Sequence, residues 1–168
     1  MFNQYLEPTC HIHKGSSRVT GLTINGLDLC LNGKVINDTV PAIDGIKQFI
    51  SWLQTNFSNG CILVAHNGKR FDFPILKRYL HHSPSPVCYD KLFGIDSREI
   101  FKAHFPDLNK NKMEHLVEEF LPQTRHKHHD ALADAQNLSK VILKATKRKS
   151  LCLREFLQVN KTDLYDFK

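Results

Sequence analysis

The sequence lacks any apolar run of the roughly 18–20 residues that a membrane span needs, so no spanning helix is expected. Its opening, MFNQYLEPTC, has no basic stretch followed by an apolar core, which argues against a secretory leader. Cysteines are few and scattered, at Cys10, Cys30, Cys61, Cys88 and Cys152, with no Cys-x-x-Cys pair. An odd, widely spaced set indicates neither a disulfide framework nor a thiolate zinc site. Repeats and low-complexity tracts are absent too, which sets aside solenoids and disordered arrays. These absences leave the expectation of a soluble, intracellular chain in a reducing compartment, nucleus or cytoplasm undecided, with no membrane partner.

What remains is a composition of 168 residues, 41% hydrophobic, 24% charged and 10% aromatic, enough for one modest core. Lys and Arg number 23 against 17 Asp and Glu, a formal net charge of +6 that suits a polyanionic partner without requiring one.

Patterning along the chain alternates between strand and helix. FNQYLEP has a strand-like opening that stops at Pro8. Ser16 to Leu31 reads mostly as loop with short extended pieces, and Asn32-Gly33 marks a tight turn. Ile43, Ile46, Phe49, Ile50, Leu53 and Phe57 recur at helical spacing, closed by Asn59-Gly60. CILVA, Cys61 to Ala65, is the short apolar run of a strand buried on both faces. A helix then begins at Asp72 to Pro74 and runs through Leu76, Tyr79 and Leu80, with Pro74 tolerated in its first turn.

A second strand is expected within Val87 to Asp96, then a helix from Ser97 to about Phe105 ended by Pro106. Met113, Leu116, Val117, Phe120 and Leu121 form another helix before Pro122. A long helix follows from about Asp130 to Thr146, burying Leu138, Val141, Ile142 and Ala145. KRKS reads as a connector to one short terminal helix, giving residues 1–146 as the domain and 147–168 as a basic connector and helix. Strand and helix in alternation imply a layered α/β domain.

Two clusters combine acids with histidine. In AHNGKRFDFPIL, Asp72 follows a buried strand and opens a helix, the region where open α/β sheets place ligands. An ordinary helix cap is the alternative. In HHDALADA, His129 and Asp134 stand five apart where a helix begins. A carboxylate there can hold a hard cation, and an imidazole near it can take a proton from water; a solvated pair on a helix end is the bland alternative.

Together the clusters resemble the DEDDh family of 3′→5′ exonucleases, in wording closest to the three-prime repair exonucleases. His66, Asn67, Phe71 and Asp72 match its second motif, and His129 with Asp134 its third, His-x-x-x-x-Asp. The tyrosine subclass needs Tyr at position 130, which is Asp130, so the histidine subclass is indicated. Val19 to Thr23, VTGLT, is similar to the family's segment lining the 3′-terminal nucleotide. The likeness extends from about Phe2 to Ala145.

The resemblance implies a ribonuclease H-like α/β fold, a mixed sheet flanked by helices, and hydrolysis of DNA or RNA from a 3′ end. In a complete domain, one that also has the family's Asp-x-Glu carboxylates, two Mg²⁺ or Mn²⁺ ions about 3.5–4 Å apart would bind the attacking and leaving oxygens. By the same resemblance Asp72 and Asp134 are metal ligands and His129 is the general base, its ordinary pKa being close to neutrality. Val19, Thr20, Leu22, His66, Asn67, Arg70 and Phe71 are the substrate-binding candidates. A homodimer is known among such relatives and is carried as an expectation.

One departure stands out. The family's first motif, Asp-x-Glu, is absent: no Asp here has Glu two residues on. FNQYLEP resembles the family's third strand, so the expectation is a domain without its first two strands, with Met1 an internal methionine. CILVA would then lack a neighbour, and a non-catalytic nucleic-acid-binding or interaction module becomes the rival reading.

Weaker signals remain. Lys69, Arg70, Lys77 and Arg78, with Arg125, Lys127 and His128, could neutralise a bound strand, although a solvated helix face is the plainer reading for Lys77 and Arg78. The groups His11-x-His13, His81-His82 and His126-x-His128-His129 lack the spacing of a zinc finger. Lys147-Arg148-Lys149 is too short to identify an import or phosphate-binding patch.

Overall fold

The computed structural model describes residues 1–81, 91–108, 112–123 and 130–164. Among them are seven helices and three small sheets of mixed orientation, an α/β arrangement consistent with a ribonuclease H-like exonuclease fold. Strand β1 (Tyr5–Leu6) pairs in parallel with β5 (Thr39–Val40). β2 (Leu22–Asn25), β3 (Asp28–Leu31) and β4 (Lys34–Val35) form an antiparallel meander. The mixed sheet expected from sequence is the third: β6 (Cys61–Ala65) runs parallel to β7 (Leu92–Asp96), and β8 (Thr162–Asp163) runs antiparallel to β7.

β7 joins the two parts of the core. Because successive strand residues face opposite ways, Leu92 enters one apolar cluster, with Ile50, Leu53, Phe73 and Leu164, and Ile95 enters the other. That second cluster takes its members from α4 (Ser97–His104), α5 (Met113–Phe120), α6 (Ala131–Lys149) and α7 (Leu153–Phe156). Phe101, Leu116, Val141 and Phe156 are all essentially without solvent exposure. Helix α2 (Ala42–Asn56) covers the first cluster with Ile50 and Leu53, as its periodicity implied.

Several expectations are corrected. The short extended pieces expected between Ser16 and Leu31 are β2 and β3, but the part read as loop before them belongs to helix α1 (Lys14–Thr20). α1 buries no residue, so it leaves no apolar periodicity to detect; local bonds hold it instead. His13 Nδ1 accepts from Gly15 N at 3.1 Å, and Gly21 closes the helix at φ 74°, a left-handed conformation glycine adopts without steric cost. CILVA is not buried on both faces: none of its five residues is fully buried, and Ile62 is 37% exposed. Among the described residues β6 pairs with β7 alone. The nearly fully buried strand is β7, which is paired on both sides. Of the stretch from Val87, the strand occupies only Leu92–Asp96, and residues 87–90 lie outside the described residues.

α6 does not stop at Thr146, and the expected KRKS connector is its last turn. Those cations serve the core. The Arg148 guanidinium binds Glu119 at 2.5 Å and lies over the rings of Phe120 (5.4 Å) and Phe105 (5.9 Å), while Lys149 Nζ is 4.7 Å from the centre of Phe105. Basic side chains at the carboxyl end of a helix also oppose its dipole.

The edge of β6 that is unpaired among the described residues carries no Lys or Pro to discourage pairing with another chain. Ile62→Lys is therefore expected to raise the concentration at which the protein stays monomeric, at a stability cost under about 1 kcal/mol because the site is already part-exposed. Light scattering across a concentration series, with a urea titration alongside, checks both.

Candidate active site

Two neighbourhoods receive the residues singled out by sequence. The first lies beyond the carboxyl ends of β6 and β7. Asp96 is 5% exposed, yet its carboxylate is fully engaged: Oδ1 accepts from Asn67 N (3.0 Å) and Arg98 N (2.9 Å), and Oδ2 accepts from Lys69 N (3.2 Å). One side chain thus caps α4 and fastens the turn that follows β6. Nδ1 of His66 shares a hydrogen bond with Oγ of the buried Ser97 at 2.9 Å, and Arg98 Nη1 donates to Asn67 Oδ1 at 3.2 Å. Asn67 itself takes φ 61°, a left-handed conformation that Asn tolerates better than most residues.

This turn delivers Asp72. The carbonyl of Asn67 accepts from Arg70 N and Phe71 N, and that of Gly68 accepts from Phe73 N at 2.9 Å. Phe73 then drives into the core, where a Cβ on either Gly68 or Gly94 would come within 2.8 Å of its ring. With Phe73 anchored inward, Asp72 opens helix α3 (Asp72–His81) at an exposed position. Its pKa is raised: the protein packed against the carboxyl withholds water from it, and the negative charge of Asp96 adds to the effect, against a lowering backbone hydrogen bond. Phe71 is 52% exposed beside it, with the Arg70 guanidinium 5.5 Å from the ring centre. Lys69, expected to face a phosphate, is instead paired with Glu99 at 2.6 Å.

The second neighbourhood is a cleft of about 770 Å³ bordered by β1, the α1–β2 junction, β3 and the start of α6. Val19, Thr20 and Leu22 line it, and so does Asp130. The Thr20 hydroxyl is committed locally, donating to Ser16 O (2.8 Å) and accepting from Leu22 N (3.2 Å). Asp130 caps α6 by accepting from Ala133 N at 3.0 Å, and its carbonyl accepts from Asp134 N at 2.8 Å. Asp134, Leu138, Val141 and Ala145 share a helix face by 3.6-residue periodicity, so Asp134 extends the buried stripe, and its Oδ1 is shut off from solvent. His129 lies outside the described residues, as do Arg125, Lys127 and His128.

The residues do not fit a two-ion centre as described. Among the described residues, no three His, Cys, Asp or Glu side chains gather into a group able to hold a metal. The carboxylate whose charge acts on Asp72 is that of Asp96, and its oxygens already serve backbone N–H groups. Asp96 escaped the sequence reading, although Asp96-x-x-Glu99 has the spacing of a helix-start signal. Arg18, a further lining residue of the cleft, also escaped it.

The exonuclease family model RNase_T matches residues 1–142, taking in both neighbourhoods. The chain belongs to the exonuclease family, of DEDDh type within the ribonuclease H-like superfamily. No curated protein matches it. Membership makes it a nuclease-type hydrolase domain with nucleic acid as its substrate class, in a family whose members generally use divalent metals.

Two variants probe the first neighbourhood of this exonuclease domain. Asp96→Ala leaves three N–H groups without their acceptor and is expected to cost about 2–4 kcal/mol, read from chemical denaturation; a cost below about 1 kcal/mol would show that the turn is held by other bonds. For Asp72, a folded-state pKa above the unfolded one means that ionisation is penalised on folding, so the penalty is complete above the raised pKa and vanishes below the unfolded one. Asp72→Asn is thus expected to be more stable than the parent at pH 7, with the advantage shrinking as the pH falls into the ordinary aspartate range. Urea midpoints at a series of pH values test the sign.

Proposed function

We propose that this chain is a metal-dependent 3′→5′ exonuclease-type domain that hydrolyses phosphodiester bonds at the 3′ ends of DNA or RNA. The carrying observation is that one exonuclease-family match spans both neighbourhoods. The cleft supports it by joining Val19, Thr20 and Leu22 to the helix that bears Asp134. Asp72 and Asp134 are the proposed carboxylates for Mg²⁺ or Mn²⁺, and His129 the proposed acceptor of a proton from water. His66 and Asn67 shape the turn that presents Arg70 and Phe71, whose exposed ring and guanidinium offer a stacking surface for a base. Because the described residues assemble no ion-binding set, no chemical step is assigned to a bound ion. An intracellular, reducing setting is part of the same reading, from the scattered cysteines of the sequence.

The absent Asp-x-Glu motif favours a second reading, a module that binds nucleic acid without cutting it. A 5′-labelled single strand of DNA or RNA, incubated with Mg²⁺, with Mn²⁺ or with chelator, separates the two. The nuclease reading expects products shortened stepwise from the 3′ end, abolished by chelator and by Asp134→Asn, while strand binding by that variant stays within a few-fold of the parent. Binding with no shortening under either metal would establish the second reading.

A further inference from the structure

We propose that Arg18 grips a backbone phosphate of the strand occupying the cleft, a role that rests on the nuclease-type reading above. Among the described residues lining the cleft, Arg18 is the one cation and Asp130 the one anion. The Asp130 carboxylate caps α6 by accepting from Ala133 N, and Arg18 is the group among them whose charge attracts a phosphate. Arg18 lies in the last turn of α1, a helix with no buried residue, and no hydrogen bond or ion pair engages its guanidinium among the described residues. Lys69, a cation the sequence pointed to, is by contrast occupied by Glu99.

The rest of the lining suits a nucleotide. At about 770 Å³ the cleft falls within the size range of small-molecule sites. Leu22, Leu29 and Leu31 supply an apolar wall for a base face, and the amides of Asn3 and Asn32 can meet base edges. A guanidinium forks two N–H groups onto one phosphate, which positions the strand independently of its sequence.

Fluorescence anisotropy with a labelled ten-nucleotide single strand, at two salt concentrations and with chelator present, tests the assignment. Arg18→Gln is expected to weaken binding by about tenfold and to lower the salt dependence by about one counterion. Arg18→Lys should recover part of the affinity, because it keeps the charge and loses the fork. Lys14→Gln removes the same charge from the same helix at a residue that does not line the cleft, and should change binding less than about twofold. Equal losses for Arg18→Gln and Lys14→Gln would overturn the role of Arg18 while leaving the nuclease reading standing. Failure of the parent to bind any strand would overturn both.

Discussion

A buried carboxylate cannot be left unsatisfied, and much of the candidate site follows from how Asp96 meets that demand. It stands at the end of β7, the middle strand of its sheet, and the nearest donors are the backbone N–H groups of α4 and of the turn after β6. Satisfying them fixes where α4 starts and how the chain leaves β6. The turn in turn sets Phe73 into the core and Asp72 at its rim. Gly68 and Gly94 leave the room Phe73 needs, since a methyl group at either would collide with its ring.

The basic character of the chain is spent in more than one way. Its carboxyl-terminal cations on α6 close over Phe105 and Phe120, and Lys69 bridges to α4, so part of the positive charge holds the protein together. Arg70 and Arg18 face outward from different neighbourhoods, one beside an exposed ring and the other in a cleft. Net charge alone would not have separated these roles.

The two neighbourhoods also differ in how complete they are. The cleft has walls, amides and a cation, the ingredients of binding. The turn after β6 presents one exposed aspartate, and the carboxylate whose charge acts on it is already consumed by backbone donors. Binding features are therefore better assembled among the described residues than ion-holding ones.

The sequence by itself determined the helices with a buried stripe, α2 and α6 above all, because a 3.6-residue repeat of apolar side chains is written into the residues that must face the core. Through its resemblance to the exonuclease family it also pointed to Asp72, Asp134 and the VTGLT segment. Tertiary structure decided what depends on partners distant in the chain. α1 went unseen because it buries nothing, and CILVA was read as buried on both faces because an apolar run does not reveal which of its side chains solvent reaches. Asp96 and Arg18 took their roles only from contacts that folding creates: one collects donors 27 and 29 residues away, and the other faces a helix that begins more than a hundred residues later.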